Sequence, residues 1–302
     1  MTMKLTVVKD EVVRPLLRYH GGKWRLAPWI ISFFPDHRIY TEAYGGAASV
    51  LLRKKRSYAE VYNDLDGEIV NLFRVLRNPA QARELIRLVA LTPFAREEFE
   101  ASYLTDGDPI EQARKTLVMA FMGFGSARAQ TYGTGFRDNS TRSGTTPAHD
   151  WSGMPKALEA IVDRLRGVVV DNRLALEVIA RHDGPNTLHY VDPPYVWSTR
   201  TERYAGCAYE HEMSDEQHAE MAQVLNECQG YVIVSGYHCE MYDRLFAGWQ
   251  RVDKAAHADG AKDRTESLWL SPRVSEFVMS PRKVKGEVTD YANSPLFAVE
   301  VT

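Results

Sequence analysis

Apolar positions along the chain follow two rhythms. Short runs that are apolar almost throughout, at 58–62, 168–170, 187–191 and 231–237, have the length and continuity of strands covered on both faces. Between them, apolar residues recur at three- and four-residue spacing, which marks one face of a helix. This holds for Leu26, Ile30 and Phe33; for Ile69, Leu72, Phe73 and Leu76; for Leu158, Ile161, Val162 and Leu165; and for Met221, Val224, Leu225 and Cys228. Pro35, Asn78-Pro79 and Gly230 end three of these helices, and Ser214-Asp215-Glu216-Gln217 is a capping box at the start of the last.

Residues 38–44 read as the first strand, running into Gly45-Gly46-Ala47-Ala48-Ser49 and a helix at Val50. Three helical stretches follow, at 80–91, 95–103 and 109–122, with no strand among them, and a Gly-, Ser- and Thr-rich loop is expected at 123–153. A short helix at 174–180, another at 240–246, a late strand at 267–270 and a charged, flexible hairpin connection at 256–264 complete the pattern, after a loose leader at 1–14. Strand–helix–strand character at 38–77 and again at 168–192 predicts an α/β fold whose sheet is made by both ends of the chain. The boundaries expected are 15–77 and 168–302 for the sheet unit and 78–167 for a mostly helical insertion.

Composition narrows the picture only a little. A hydrophobic share of 44% and a charged share of 25% over 302 residues belong to an ordinary globular protein. No apolar run is long enough to span a membrane and residues 1–18 carry no signal-peptide core, so a cytoplasmic protein is expected. Cys207, Cys228 and Cys239 form no C-x-x-C pair, and His211, His218, His238 and Cys239 fit no ligand spacing, so no metal is expected. The net charge of −3 neither favours nor excludes nucleic acid, because phosphate contacts need only one basic face.

The chemistry concentrates where the strand Thr187–Val191 ends. Asp192-Pro193-Pro194-Tyr195 follows it, and the two prolines remove backbone donors and fix φ. The result is a stiff corner presenting a carboxylate, backbone carbonyls and an aromatic ring at the end of a sheet where ligands bind. That set suits the exocyclic amine of a flat base. Gly45-Gly46-Ala47-Ala48-Ser49 lets a ligand approach the backbone near a helix start. Asp64, ending the second strand, is placed either to bind ribose hydroxyls or to cap the next helix. Gly21-Gly22-Lys23 reads on its own as a plain turn before a helix. The loop at 123–153 holds Arg128, Gln130, Arg137, Asn139 and Arg142 beside Tyr132, Phe136 and Trp151, residue types that touch phosphate and read base edges, although its composition is also that of a surface loop. Arg53-Lys54-Lys55-Arg56 reads as a solvated helix end.

Taken in order, these stretches resemble the Dam-like, D12-class adenine-N6 DNA methyltransferases of the α group: cofactor motifs, then a target-recognition insertion, then Asp192-Pro193-Pro194-Tyr195. The resemblance runs from Leu16 to about Pro272 and implies a Rossmann-like S-adenosylmethionine-dependent sheet with an inserted target-recognition domain. It assigns Tyr19, Gly22 and Lys23 to the amino-terminal cofactor motif; Glu42, Tyr44, Gly45, Gly46, Ala47 and Ser49 to the cofactor loop; and Asp64 to the ribose. Asp192, Pro193, Pro194 and Tyr195 become the catalytic corner, with Asp192 also beside the cofactor. Segments at 209–213, 235–237 and 264–269 are similar to phage and prophage members, which implies a phage or restriction–modification setting. The chain departs from the pattern at Ala43, where a proline is usual, at Ala48, where a second glycine is usual, and at Leu174, where an acid is usual near the cofactor adenine.

The implied reaction is methyl transfer from S-adenosylmethionine to adenine N6 in DNA, expected to be double-stranded, with the base flipped from the stack. Tyr195 would stack on it, and Asp192 and the Pro193 carbonyl would accept the amino hydrogens. An RNA adenine and a non-catalytic DNA-binding homologue stay open as alternatives, as do monomer and dimer. A nicotinamide-type Rossmann enzyme is set aside because the loop lacks G-x-G-x-x-G.

Overall fold

The computed structural model describes residues 12–18, 21–124, 135–139, 144–199, 211–257 and 263–280. Seven strands form one sheet in the order β3-β2-β1-β4-β5-β7-β6, where β1 is Ile39–Glu42, β2 Ala59–Asn63, β3 Val168–Asp171, β4 Thr187–Val191, β5 Tyr231–Gly236, β6 Gln250–His257 and β7 Asp263–Leu270. The first five run parallel; β7 pairs antiparallel with β5, and β6 with β7. Every residue of the central β4 is buried, which is why its sequence is apolar without alternation. The order reverses between β1 and β4, so the carboxyl ends of these strands open a crevice where a doubly wound sheet takes its ligand. The Rossmann-like α/β sheet with an inserted helical region, expected from the sequence, is the fold found.

Each face of the sheet carries its own core. On one side lie α1 (Ala27–Ser32), α2 (Ser49–Arg53) and α3 (Gly67–Arg77), against Tyr40, Tyr62, Leu188, Tyr190, Ile233 and Leu268. On the other, α9 (Ala175–His182), α10 (Asp215–Glu227) and α11 (Glu240–Leu245) cover Val191, Val232, Val234 and Trp269. The insertion consists of α4 (Pro79–Leu91), α5 (Arg96–Ala101), α6 (Pro109–Met122), α7 (Pro147–Ser152) and α8 (Met154–Leu165). Leu85, Val89, Leu117, Val118, Leu158 and Ile161 of these helices belong to the same apolar cluster as the first sheet face, so one continuous core joins insertion and sheet. The last helix, α12 (Pro272–Met279), packs on β5 and β7. No helix among the described residues is long and apolar enough to cross a membrane.

Three local expectations need correction. The hairpin expected at 256–264 is present, but its strands reach further into it than expected, with Ala256 paired to Arg264 and His257 to Asp263 between β6 and β7. The loop at 123–153 contains α7, whose Thr146 cap accepts from the His149 amide at 3.2 Å, and whose buried Trp151 donates to the Thr92 carbonyl at 2.8 Å. Finally, Arg53–Arg56 is not uniformly solvated: Lys54 is buried against Glu60 at 2.6 Å.

Candidate functional site

A cleft of about 700 Å³ opens at the carboxyl ends of β1, β2 and β4, within the size range of roughly 300–1,000 Å³ common for small-molecule sites. One wall is the turn after β1. Gly45 packs so closely on β2 that a Cβ there would lie 2.2 Å from the Tyr62 ring, and its amide donates to the Asn63 carbonyl at 2.8 Å. Gly46 takes φ 46°, and its amide donates to Asp64 Oδ2 at 2.7 Å while its carbonyl accepts from the Tyr62 hydroxyl at 2.7 Å. Ala48 sits at φ 51°, the left-handed conformation that glycine adopts without cost; here an alanine carries it, buried, into the start of α2. Ala47 and Ser49 complete this wall.

Gly45→Ala is therefore expected to force the loop off β2, costing about 1–3 kcal/mol by overpacking and deforming this wall of the cleft. Thermal and urea unfolding check it; an alanine variant as stable as the wild type refutes the account of this wall.

The sequence left Asp64 open between ribose ligand and helix cap. The cap of α3 is Asp66, which accepts from the Glu68 and Ile69 amides at 2.9 and 3.2 Å. Asp64 instead ties the turn together, accepting from Gly46 through Oδ2 and from the Asp66 amide through Oδ1 at 2.8 Å, and it lines the cleft. Burial raises its carboxyl pKa, against the pull of those two amides. Glu42, the last residue of β1, is buried more completely. Its Oε2 accepts from the Tyr40 hydroxyl at 2.8 Å and the Leu51 amide at 2.9 Å, yet burial lifts its pKa to about 8. Tyr44 lines the cleft beside it, its phenol pKa raised by burial. Gly22 and Lys23 reach the cleft from the turn before α1, and Leu174 and Leu176 from the turn and helix after β3; Leu174 is 58% exposed at the lip.

Asp192 is the first residue after β4 and lies at the cleft wall with Pro194. Its position follows from register: Tyr190 pairs with Ile233, so Asp192 stands level with Ser235 on the same face of the sheet. The Ser235 hydroxyl donates to Asp192 Oδ1 at 2.7 Å, and the Tyr190 hydroxyl lies 3.1 Å from the same Ser235 oxygen. Lys23 Nζ sits 3.1 Å from Asp192 Oδ2 and donates to the Gly21 carbonyl at 2.6 Å. The Asp192 side chain keeps 18% exposure, and an ionised carboxylate has about four acceptor positions, so capacity remains for a ligand amine.

Not every expected residue comes to the cleft. Pro193 is buried and Tyr195 is only 7% exposed, and neither lines it. The open aromatic face expected at Tyr195 is instead packed. Its hydroxyl donates to Glu266 Oε2 at 2.8 Å, Tyr237 meets it edge-on at 4.6 Å between ring centres, and the Lys23 ammonium lies 4.8 Å from its ring centre. Of the residues expected to read DNA, Arg137 is buried and donates to the Phe121 carbonyl at 3.1 Å, turned into the insertion instead of outward, whereas Asn139 is exposed. Tyr19, Arg128, Gln130 and Arg142 lie outside the described residues.

Sequence reasoning missed the partners of the corner, Ser235 and Glu266, and the α10 side of the cleft, where Met213, Gln217 and Glu220 close it. The signals there were the Ser214–Gln217 capping box and the resemblance of the segment at 209–213, neither of which pointed to the cleft. Among the described residues Asp183, His189 and Cys228 come together as metal ligands would, but under the opposite end of the sheet, and His189 already meets Thr41 at 2.7 Å and Asp183 at 3.2 Å.

A family model described as D12 class N6 adenine-specific DNA methyltransferase matches residues 19–258. That span covers the loop after β1, Asp64, the whole insertion and the corner at Asp192. A search of curated proteins gave no match.

Proposed function

Because the chain belongs to the D12 class N6 adenine-specific DNA methyltransferases, we propose that it is a site-specific enzyme transferring a methyl group from S-adenosylmethionine to a flipped adenine in double-stranded DNA. The observation that carries this reading is Asp192: a carboxylate at the cleft wall, oriented by Ser235, with acceptor positions to spare. The Dam-like and phage-type assignment, a restriction–modification setting and a cytoplasmic place belong to the same proposal.

The lining fits the cofactor. Glu42, Asp64 and Asp192 bring carboxylates to a site for a molecule bearing a sulfonium and an ammonium, and the loop at Gly45-Gly46-Ala47 keeps side chains clear of it. Gly22, Lys23, Glu42, Tyr44, Ser49 and Asp64 would hold it, Asp64 through oxygen lone pairs left over from its two amide partners. When bound, S-adenosylmethionine supplies an electrophilic methyl carbon. Asp192 and the Pro193 carbonyl accept the two amino hydrogens of the target, which localises the N6 lone pair, and holding that nitrogen in line is the main source of rate. Extrusion of the base costs a few kcal/mol, offset by pocket contacts. Asn139, with Arg128, Gln130 and Arg142, touches DNA in this reading; Arg137 serves the fold.

Sequencing modified bases in DNA from cells expressing the protein tests the proposal. N6-methyladenine at one recurring site is expected. Its absence, together with no S-adenosylmethionine binding by calorimetry, would make the chain a non-catalytic DNA-binding homologue; micromolar binding removes that alternative.

Glu42 gives a pH signature. Its folded-state pKa of about 8 lies above the ordinary 4.5, so the stability it contributes is complete below about 4.5 and is lost as pH rises through about 8. A cationic cofactor stabilises the ionised form. The rise in thermal midpoint on adding S-adenosylmethionine should therefore grow between about pH 7 and pH 9, and Glu42→Gln should flatten that trend. An increment independent of pH in the wild type speaks against Glu42 facing the cofactor's charge.

A further inference from the structure

The antiparallel strand β7 runs past the end of β5. Ser235 pairs with Leu268, and Gly236, the last residue of β5, with Ser267. Glu266 therefore overhangs the carboxyl edge of the sheet, two residues along β7 from Leu268 and on the same face. At that overhang its Oε2 accepts the Tyr195 hydroxyl at 2.8 Å, across 71 positions of sequence. Tyr195 comes to it from the proline corner, and its ring is bounded by the Tyr237 edge and the Lys23 ammonium.

We propose that Glu266 is a positioning residue of the methyl-transfer site, setting the plane of the Tyr195 ring against which the extruded adenine is held. The proposal rests on the functional reading above and adds a residue to it. The two prolines fix the backbone leading to Tyr195 but not the side-chain torsions. A hydrogen bond from a phenol to a carboxylate is short and directional, and it fixes the ring from its far end. Burial and the charge of Glu266 hold the Tyr195 phenol pKa well above its ordinary value, so Tyr195 remains the donor. The Lys23 ammonium, placed between Asp192 and the Tyr195 ring, already makes both contacts that a target amine would make, one to the carboxylate and one to the ring. A base entering there displaces it toward the Gly21 carbonyl, which it also holds, and then meets a ring whose tilt Glu266 has set.

The test uses the full chain and the methylated site found by modified-base sequencing, in two duplexes: one with adenine at the target, for turnover, and one with 2-aminopurine in its place, for base extrusion alone. Glu266→Ala should lower kcat roughly ten- to a hundredfold, as small misplacements of reacting groups do, and weaken the 2-aminopurine fluorescence rise, with the KM for S-adenosylmethionine unchanged. Glu266→Gln, whose amide oxygen can accept the same bond, should recover most of both. Tyr195→Phe should resemble Glu266→Ala, and the double variant should be no worse than the poorer single, because both remove one bond. A folded Glu266→Ala with wild-type kcat and fluorescence overturns the proposal, and so does a Gln variant no better than Ala. Should Glu266→Ala fail to fold, Tyr195→Phe against Glu266→Gln makes the same comparison: loss in the first with retention in the second supports it, and equal behaviour overturns it. If the wild type methylates no site, the functional reading fails first and takes this one with it.

Discussion

Asp192→Asn is expected to abolish methyl transfer, by on the order of 10²–10⁴-fold, while S-adenosylmethionine still binds. Asp192 is the carboxylate at the corner that lines the cleft, and the proposed step needs it to draw both hydrogen-bond strength and negative charge toward the target amine. Asparagine keeps the shape and one oxygen, so the Ser235 hydroxyl retains an acceptor in place of the bond it now makes at 2.7 Å. Alanine is the harsher variant. It removes the carboxylate 3.1 Å from the Lys23 ammonium, which is only 4% exposed, and breaking a buried ion pair costs about 3–5 kcal/mol. A loss of activity in Asp192→Ala alone would therefore mix chemistry with stability, and the Asn variant separates them. Cofactor binding should survive because Asp64 and the loop after β1 hold their places through backbone contacts that do not involve Asp192. An Asn variant with full methyl incorporation removes Asp192 from the chemistry and with it the reading of the corner.

The same corner marks the limit of what the sequence disclosed. Asp192-Pro193-Pro194-Tyr195 was legible because proline stops a strand wherever it stands, and the fully buried β4 announces itself by unbroken apolar residues. The capping box at Ser214 and Gln217 was equally local, and the structure has both of its hydrogen bonds. What failed was whatever depends on a distant partner. Tyr195 looked like an open ring because nothing nearby in sequence says that Glu266 will hold its hydroxyl. Arg137 looked like a DNA contact because composition cannot tell a guanidinium turned toward the Phe121 carbonyl from one turned to solvent. The β6 strand escaped notice because it is an edge: Arg251, Asp253 and Lys254 are exposed and break any alternation, as edge strands do to avoid pairing with strangers. For Asp64 the sequence offered two roles, ribose ligand or helix cap, and the structure gives the cap to Asp66.

Glu60→Ala should be the most destabilising single change in the sheet, costing about 3–5 kcal/mol as the loss of one member of a buried charged cluster does. Glu60 on β2 is gripped by both nitrogens of Arg164 from α8, at 2.7 and 2.9 Å, and by Lys54 from the end of α2 at 2.6 Å, with all three side chains nearly excluded from water. Arg164 also donates to the Leu51 carbonyl at 2.6 Å, and Lys54 lies 4.4 Å from the Tyr40 ring. Removing the carboxylate leaves two buried cations facing each other where α2, β2 and the insertion meet. Burial alone would raise the Glu60 carboxyl, but Arg164 and Lys54 overcome it and hold its pKa below the ordinary 4.5. A folded-state pKa that is depressed contributes stability above the unfolded value, lost as pH falls through the folded one. The cluster should thus weaken the protein in acid, the opposite sense to Glu42. Replacing all three by Met, Leu and Met should cost much less than Glu60→Ala, because it removes the desolvated charges together, though the Leu51 carbonyl then loses a donor. Urea unfolding at neutral pH and again near pH 4 measures each part. If Glu60→Ala unfolds within about 0.5 kcal/mol of the wild type, as ordinary surface changes do, the cluster does not clamp the insertion to the sheet, and the placing of α2, and of the loop before it, has to be explained by apolar packing alone.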